Sequence, residues 1–187
     1  MLDLASATAH PLDGLPAAPG PAATLRRLPE LARLAFRGRE AAIGPAGEAF
    51  GVALPRQACR FDAAGERRAL WLGPDEWLLT APDAEGPALF AAIEAATAGL
   101  PHALVDVGAR SIGIEVVGPE AAFVLNQGCP LDLALDAFPV GMCTRTVLGK
   151  VEIVLLRTAP ETFEIDVWRS FASYVWSYLI EARREFA

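Results

Sequence analysis

From Leu31 onward apolar residues recur with period two in some stretches and with period three to four in others, and the switches divide the chain into elements. Residues 31–37 predict a strand and residues 39–50 a short helix. Strands at 69–72 and 77–80 follow, joined by Gly73-Pro74-Asp75-Glu76. The next helix has Pro87 just inside its start and Gly99 just past its end. A strand at 103–107 precedes a recurrence of the same order. Ile112, Ile114 and Val116 alternate along residues 111–117, and a helix at 119–127 is closed by Gly128. Val151, Ile153 and Leu155 alternate on one strand, Phe163, Ile165 and Val167 on the next, and a last helix begins near Ser170. The pattern predicts an α+β fold of two successive strand-helix-strand-strand-helix units in one domain. Antiparallel hairpins with their helices on one face leave the other faces free to pack sheet on sheet.

Residues 1–30 carry Pro11, Pro16, Pro19, Pro21 and Pro29, a spacing that interrupts both helix and ladder. They read as an N-terminal arm preceding a domain at 31–187. The arm is either a disordered leader or an extended segment lying along another subunit, with Leu2, Leu4, Leu12 and Leu15 available to dock. On the final helix, Phe171, Tyr174, Val175, Tyr178, Leu179 and Ala182 follow the i, i+3, i+4, i+7 rule and predict the inward stripe. Trp176 and Ile180 fall off that stripe, which makes them candidates for burial against a partner, where Trp is a favoured anchor. The alternative is that a second layer of this same chain covers them. Trp71 and Trp77, on hairpin strands, read as core.

The chain has 187 residues, a net charge of −7 and 53% hydrophobic residues. Its mean hydropathy of +0.32 exceeds what one small core hides, so apolar surface is left to meet a partner. Arginine pairs are scattered, with no basic stripe for a phosphate backbone, which argues against nucleic acid. No apolar run is long enough to span a membrane, and no secretory leader is evident. Three unpaired cysteines, Cys59, Cys129 and Cys143, fit free thiols in a reducing cytoplasm. The G-x-G-x-x-G turn of dinucleotide sites and the G-x-S-x-G nucleophile elbow do not occur, and two histidines, His10 and His102, are too few for an ordinary zinc site. Cys129 and Cys143 read as small buried hydrophobes beside turns, and Gly128, Pro130, Pro139 and Gly141 as backbone devices around the loop LDLALDAF.

The runs NQGCPLDL, FPVGMCTRTVLGKVEIVLLRT and TFEIDVWRSFASYVW form an ordered block that a generic core does not require. With ALWLGPDEWLLTAP and LVDVGARSIGIEVVGPEAAFVLNQG upstream, the chain resembles the gamma subunit of heterotetrameric sarcosine oxidase from about Leu31 to Glu185. The resemblance implies a non-catalytic structural subunit of a complex with alpha, beta and delta partners. Such complexes oxidatively demethylate sarcosine to glycine and pass the one-carbon unit to tetrahydrofolate or release it as formaldehyde. FAD, FMN and NAD are then expected on the larger subunits and zinc on the smallest, with none in this chain. The run DVGARSIGIEVVGPEAAFVL is also similar to the folate-binding domain of glycine-cleavage aminomethyltransferases, which implies that fold. In that light Glu152, with Arg145 or Arg169, is a folate candidate through its carboxylate and a tail-binding cation. Structural salt bridging accounts for the same residues.

Overall fold

A computed structural model describes residues 10–15 and 18–186. Leu2, Leu4 and Pro16 of the arm lie outside the described residues. The elements in chain order are β1 (Thr24–Arg27), β2 (Leu31–Gly38), α1 (Glu40–Phe50), β3 (Phe61–Ala64), β4 (Arg67–Gly73), β5 (Glu76–Pro82), α2 (Gly86–Ala96) and β6 (His102–Asp106). The second half holds β7 (Ser111–Val117), α3 (Ala121–Asn126), β8 (Cys143–Leu148), β9 (Val151–Ala159), β10 (Thr162–Trp168) and α4 (Ala172–Ala182).

The strands form two five-stranded antiparallel sheets, ordered β3-β4-β5-β2-β6 and β8-β9-β10-β7-β1. The α+β class expected from the sequence is present, but each sheet has more strands than the pattern predicted. β3 and β8 are short edge strands whose weak alternation hid them, and β1 lies in the segment read as an arm. β6, expected at 103–107, and β1 occupy equivalent outer positions beside β2 and β7. The second sheet is therefore completed by a strand taken from the N-terminus, and Thr24–Arg27 pair in register with Ile114–Val117. The described part of the arm docks on its own chain: Leu12, Ala18, Ala23 and Leu25 are buried with the β7, β9 and β10 side chains. The approach is close enough that a Cβ on Gly118, itself at φ +149°, would lie 2.5 Å from the Ala22 carbonyl oxygen. Only glycine fits there.

Alternation along each strand separates two kinds of surface. Leu34, Phe36, Ala69, Trp77 and Leu79 face α1 and α2, while Ile112, Ile114, Ile153, Leu155, Phe163 and Ile165 face α3, α4 and the arm. The opposite faces meet each other. There a small apolar cluster of Leu70, Leu78, Cys143 and Leu156 is flanked by ion pairs from sheet to sheet: Arg33 to Asp166, Arg68 to Glu164 and Arg145 to Glu76. The layers run helix, sheet, sheet, helix. No helix among the described residues is long and apolar enough to cross a membrane.

The inward face of α4 differs from the sequence-based stripe. Ala172, Val175, Trp176 and Leu179 are buried, whereas Phe171 and Tyr174 are exposed. Residues 169–171 form a 3-10 turn, so Phe171 precedes the helix, and the arm covers the side that carries Trp176. Ile180 is partly buried on the same core and lines a small pocket with Pro19–Ala23 and Arg183. Arg183 Nη1 fastens that layer by donating to the carbonyls of Ala18 (2.5 Å), Pro19 (3.2 Å) and Ala23 (3.3 Å). For Trp176 the expected burial against a partner is corrected, since it is 5% exposed within its own chain; Ile180 is only partly covered, by the described part of the arm.

Arg33 is 1% exposed, so removing its partner strands a buried charge. Asp166→Asn is expected to cost about 3–5 kcal/mol of unfolding free energy, and the double variant Arg33→Met with Asp166→Leu to recover most of it, as read by urea denaturation.

Candidate functional site

The gap between the two sheets widens at one end into a cleft of about 360 Å³. Its walls come from β2, β4 and β5 on one side and from β7 to β10 on the other, with Arg37, Glu76, Arg110, Arg145, Glu152 and Asp166 supplying the charged lining and Trp77 and Trp168 the aromatic. Strand periodicity places them. On β10, Phe163, Ile165 and Val167 turn into the core, which sends Glu164, Asp166 and Trp168 to the opposite face. On β9 the same alternation turns Glu152 and Val154 into the gap, and the pairing Val147↔Glu152 puts Val147 beside them.

Glu76 lies at the centre. It accepts Arg37 Nη2 at 2.5 Å on its own sheet and Arg145 Nη2 from the facing sheet. The Arg145 hydrogen bond, outweighing burial and aided by Arg37, holds its carboxyl below the usual glutamate value of 4.5. Asp166, deeper in, is paired with Arg33 and hydrogen-bonded by Ser111, yet burial dominates and pushes its carboxyl up. Arg110 lies over the Trp168 ring with Cζ 5.6 Å from the centroid.

Of the sequence-predicted candidates, Glu152 and Arg145 come together in this cleft and Arg169 does not. Arg169 Nη1 instead donates to Glu30 Oε1 at 3.3 Å. Glu152 is exposed and close enough to help raise the Arg145 pKa, whose first cause is the Glu76 hydrogen bond. Arg37, Glu76, Arg110 and Asp166 were not singled out from sequence. The available signal was the charged residues at some strand positions that alternate with the core, as in E-I-D of β10.

The lining holds acids and arginines in balance. Ser111 is its hydroxyl, without a histidine beside it. Among the described residues no group of three or more His, Cys, Asp or Glu side chains is placed to hold a metal ion. His102 bridges α2 to β6 through Thr97 Oγ1 at 3.0 Å and Leu100 O at 2.9 Å. Cys129 and Cys143 are buried, as read from sequence. Burial, first, and the neighbouring Cys59 push the Cys143 thiol up to about 12, which leaves almost no thiolate at neutral pH.

The Sarcosine oxidase, gamma subunit family is matched over residues 38–185. A sarcosine oxidase subunit gamma from Arthrobacter sp is 36% identical over 166 residues, covering 86% of this chain and 81% of that protein. The chain belongs to the sarcosine oxidase gamma subunit family. Among solved structures, a chain of the heterotetrameric sarcosine oxidase from Corynebacterium sp. U-96, in complex with pyrrole 2-carboxylate, matches with a TM-score of 0.87 at 29% identity over 95% of both chains. The glycine cleavage system aminomethyltransferase T from Bartonella henselae matches with a TM-score of 0.61 at 19% identity, covering 84% of this chain and 45% of that one, and shares the fold.

The block by which the gamma subunit family was legible has a structural basis. Loop 127–142 is held from beneath by the buried Arg157, whose guanidinium donates to the carbonyls of Leu133 (2.9 Å), Phe138 (2.8 Å) and Pro160 (2.5 Å) and stacks 4.6 Å over Phe163. Asn126 Nδ2 donates to Cys129 O at 3.2 Å and Leu131 O at 2.5 Å, and Tyr178 Oη to Gln127 O at 2.8 Å. A Cβ on Gly128 would lie 2.6 Å from that Tyr178 oxygen, so the Gly-Cys-Pro turn and the aromatic helix require one another.

The depressed Glu76 carboxyl adds stability that is present above its unfolded value near 4.5 and is lost as pH falls through the lower folded value. Glu76→Gln is expected to lower stability at pH 7 and to flatten the acid side of a stability-against-pH curve. Thiol labelling of the native chain should modify half-buried Cys59 well before Cys143, with Cys143 reacting only on unfolding.

Proposed function

We propose that this chain is a non-catalytic, structural gamma subunit within a cytoplasmic heterotetrameric sarcosine oxidase, alongside alpha, beta and delta chains. The complex converts sarcosine to glycine and passes the one-carbon unit to tetrahydrofolate or releases it as formaldehyde. FAD, FMN, NAD and tetrahydrofolate are held by the partners, and this chain contributes shape. The observation that carries the reading is the family match across most of the chain. A cleft whose Glu76 and Asp166 are already engaged by the chain's own arginines supports it, because reaction chemistry needs groups poised for a substrate rather than consumed in holding two sheets together.

A second reading is favoured by one specific feature. Glu152 and Arg145 share the cleft, and Glu152 makes no hydrogen bond among the described residues, so a folate could meet a free carboxylate beside a cation. Arg145 is committed to Glu76, which weighs towards the structural reading.

Co-expression with the other chains tests the proposal: the chain is expected to co-elute with a large flavin-absorbing subunit, and alone to consume no oxygen when given sarcosine. Oxygen uptake by the isolated chain would overturn it. Titration calorimetry with tetrahydrofolate on the isolated chain is expected to show no binding, whereas tight binding abolished by Glu152→Gln or Arg145→Met establishes the folate-binding module instead.

A further inference from the structure

Once Trp176 is accounted for inside the fold, the chain still displays a large aromatic surface at another place. Trp168 ends β10 at the mouth of the cleft and is 44% exposed; Phe171, in the 3-10 turn that follows, is also 44% exposed, and Tyr174, in the first turn of α4, is 39% exposed. The Trp168 and Phe171 rings pack with centroids 6.4 Å apart. These are large apolar side chains on a rigid support, since Trp168 is in register with Ser111 of β7 and the turn is continuous with α4.

Arg110 supplies the charge. Its side chain lies on the Trp168 ring, and the nearby carboxylate, Asp166, is taken by Arg33. Among the described residues Arg110 makes no ion pair, although the chain has a net charge of −7. A cation already stacked on an exposed indole loses little further freedom when an anion arrives. Trp and Arg are also the residues that most often dominate binding at interfaces.

We infer that Arg110, Trp168 and Phe171 form a docking surface for another subunit of the complex, one that brings a carboxylate side chain to Arg110 and flanking apolar side chains onto the two rings. The inference rests on the subunit role proposed above. Charge complementarity selects the occupant: a second copy of this chain, related by a twofold axis through the patch, would set one Arg110 against the other. A free small acid would leave Phe171 and Tyr174 uncovered.

The test uses the full chain and the flavin-bearing remainder of the complex, with affinity measured by biolayer interferometry. Trp168→Ala and Arg110→Glu are each expected to weaken binding about 30-fold, the factor equivalent to a 2 kcal/mol hot spot. Arg110→Lys should recover part of the loss. Phe123→Ala, a change at a 61% exposed aromatic on α3, should stay within about twofold. Raising salt should weaken the wild type more than the Arg110→Glu variant. Unchanged urea midpoints show that the variants fold. Wild-type affinity for both Trp168→Ala and Arg110→Glu overturns the inference, as does a concentration-dependent homodimer that Trp168→Ala abolishes while leaving partner binding intact. A wild-type chain that captures no flavin-bearing partner overturns the subunit role itself, an outcome distinct from loss in the variants alone.

Discussion

Two sheets packed through partly charged faces are the constraint on which the rest depends. Each sheet buries its apolar face under its own helices, and the halves are joined by a small cluster around Leu70, Leu78, Cys143 and Leu156, by three ion pairs that cross the gap, and at one edge by backbone hydrogen bonds from Cys143 N to Cys59 O and from Phe61 N to Gly141 O. Hydrophobic burial is non-directional, whereas an arginine and a carboxylate in a dry gap tolerate little displacement, because a broken pair leaves an uncompensated charge. The pairs tie β2 and β4 to β10 and β5 to β8, while the closest approach of strand to strand across the gap is β4 to β8.

The same constraint makes the cleft. Where Arg33 and Arg68 meet β10 the sheets are close, and where Arg145 and Arg37 share Glu76 they part enough to leave a lined space. The carboxylates most deeply placed in it are occupied in cohesion. Beside it the exposed aromatic rim completes the contrast: the polar centre is satisfied internally and the apolar edge is left open.

The N-terminal segment shows the cost of an unfinished repeat. The second unit has four strands of its own, and β1 fills the position that β6 fills in the first sheet. With β1 comes the arm, which covers Trp176 and is held by Arg183. A hydrophobic helix face that looks unpartnered within one unit is thus covered by a distant segment, fastened through the Arg183 to Ala18 hydrogen bond across 165 positions of sequence.

Periodicity alone determined the α+β class, most core strands and the four helices of the repeated units, because alternation and the 3.6-residue repeat are local and each strand's core face must be apolar. The family was legible for a related reason: Asn126, Arg157 and Tyr178 each donate to carbonyls of one loop, and Gly128 leaves the room that the Tyr178 hydroxyl occupies. Tertiary structure decided the rest. Whether the polar positions of a strand face water or another sheet is invisible to alternation, since both read as polar, so Glu76, Asp166 and Arg110 could not be grouped before the sheets were brought together. Nor could the helix rule tell which side of α4 was covered. Trp176 is inside and Trp168 outside because one joins the core cluster that the returning segment completes and the other ends a strand on the opposite face of its sheet, a difference of contacts between distant segments rather than of the residues themselves.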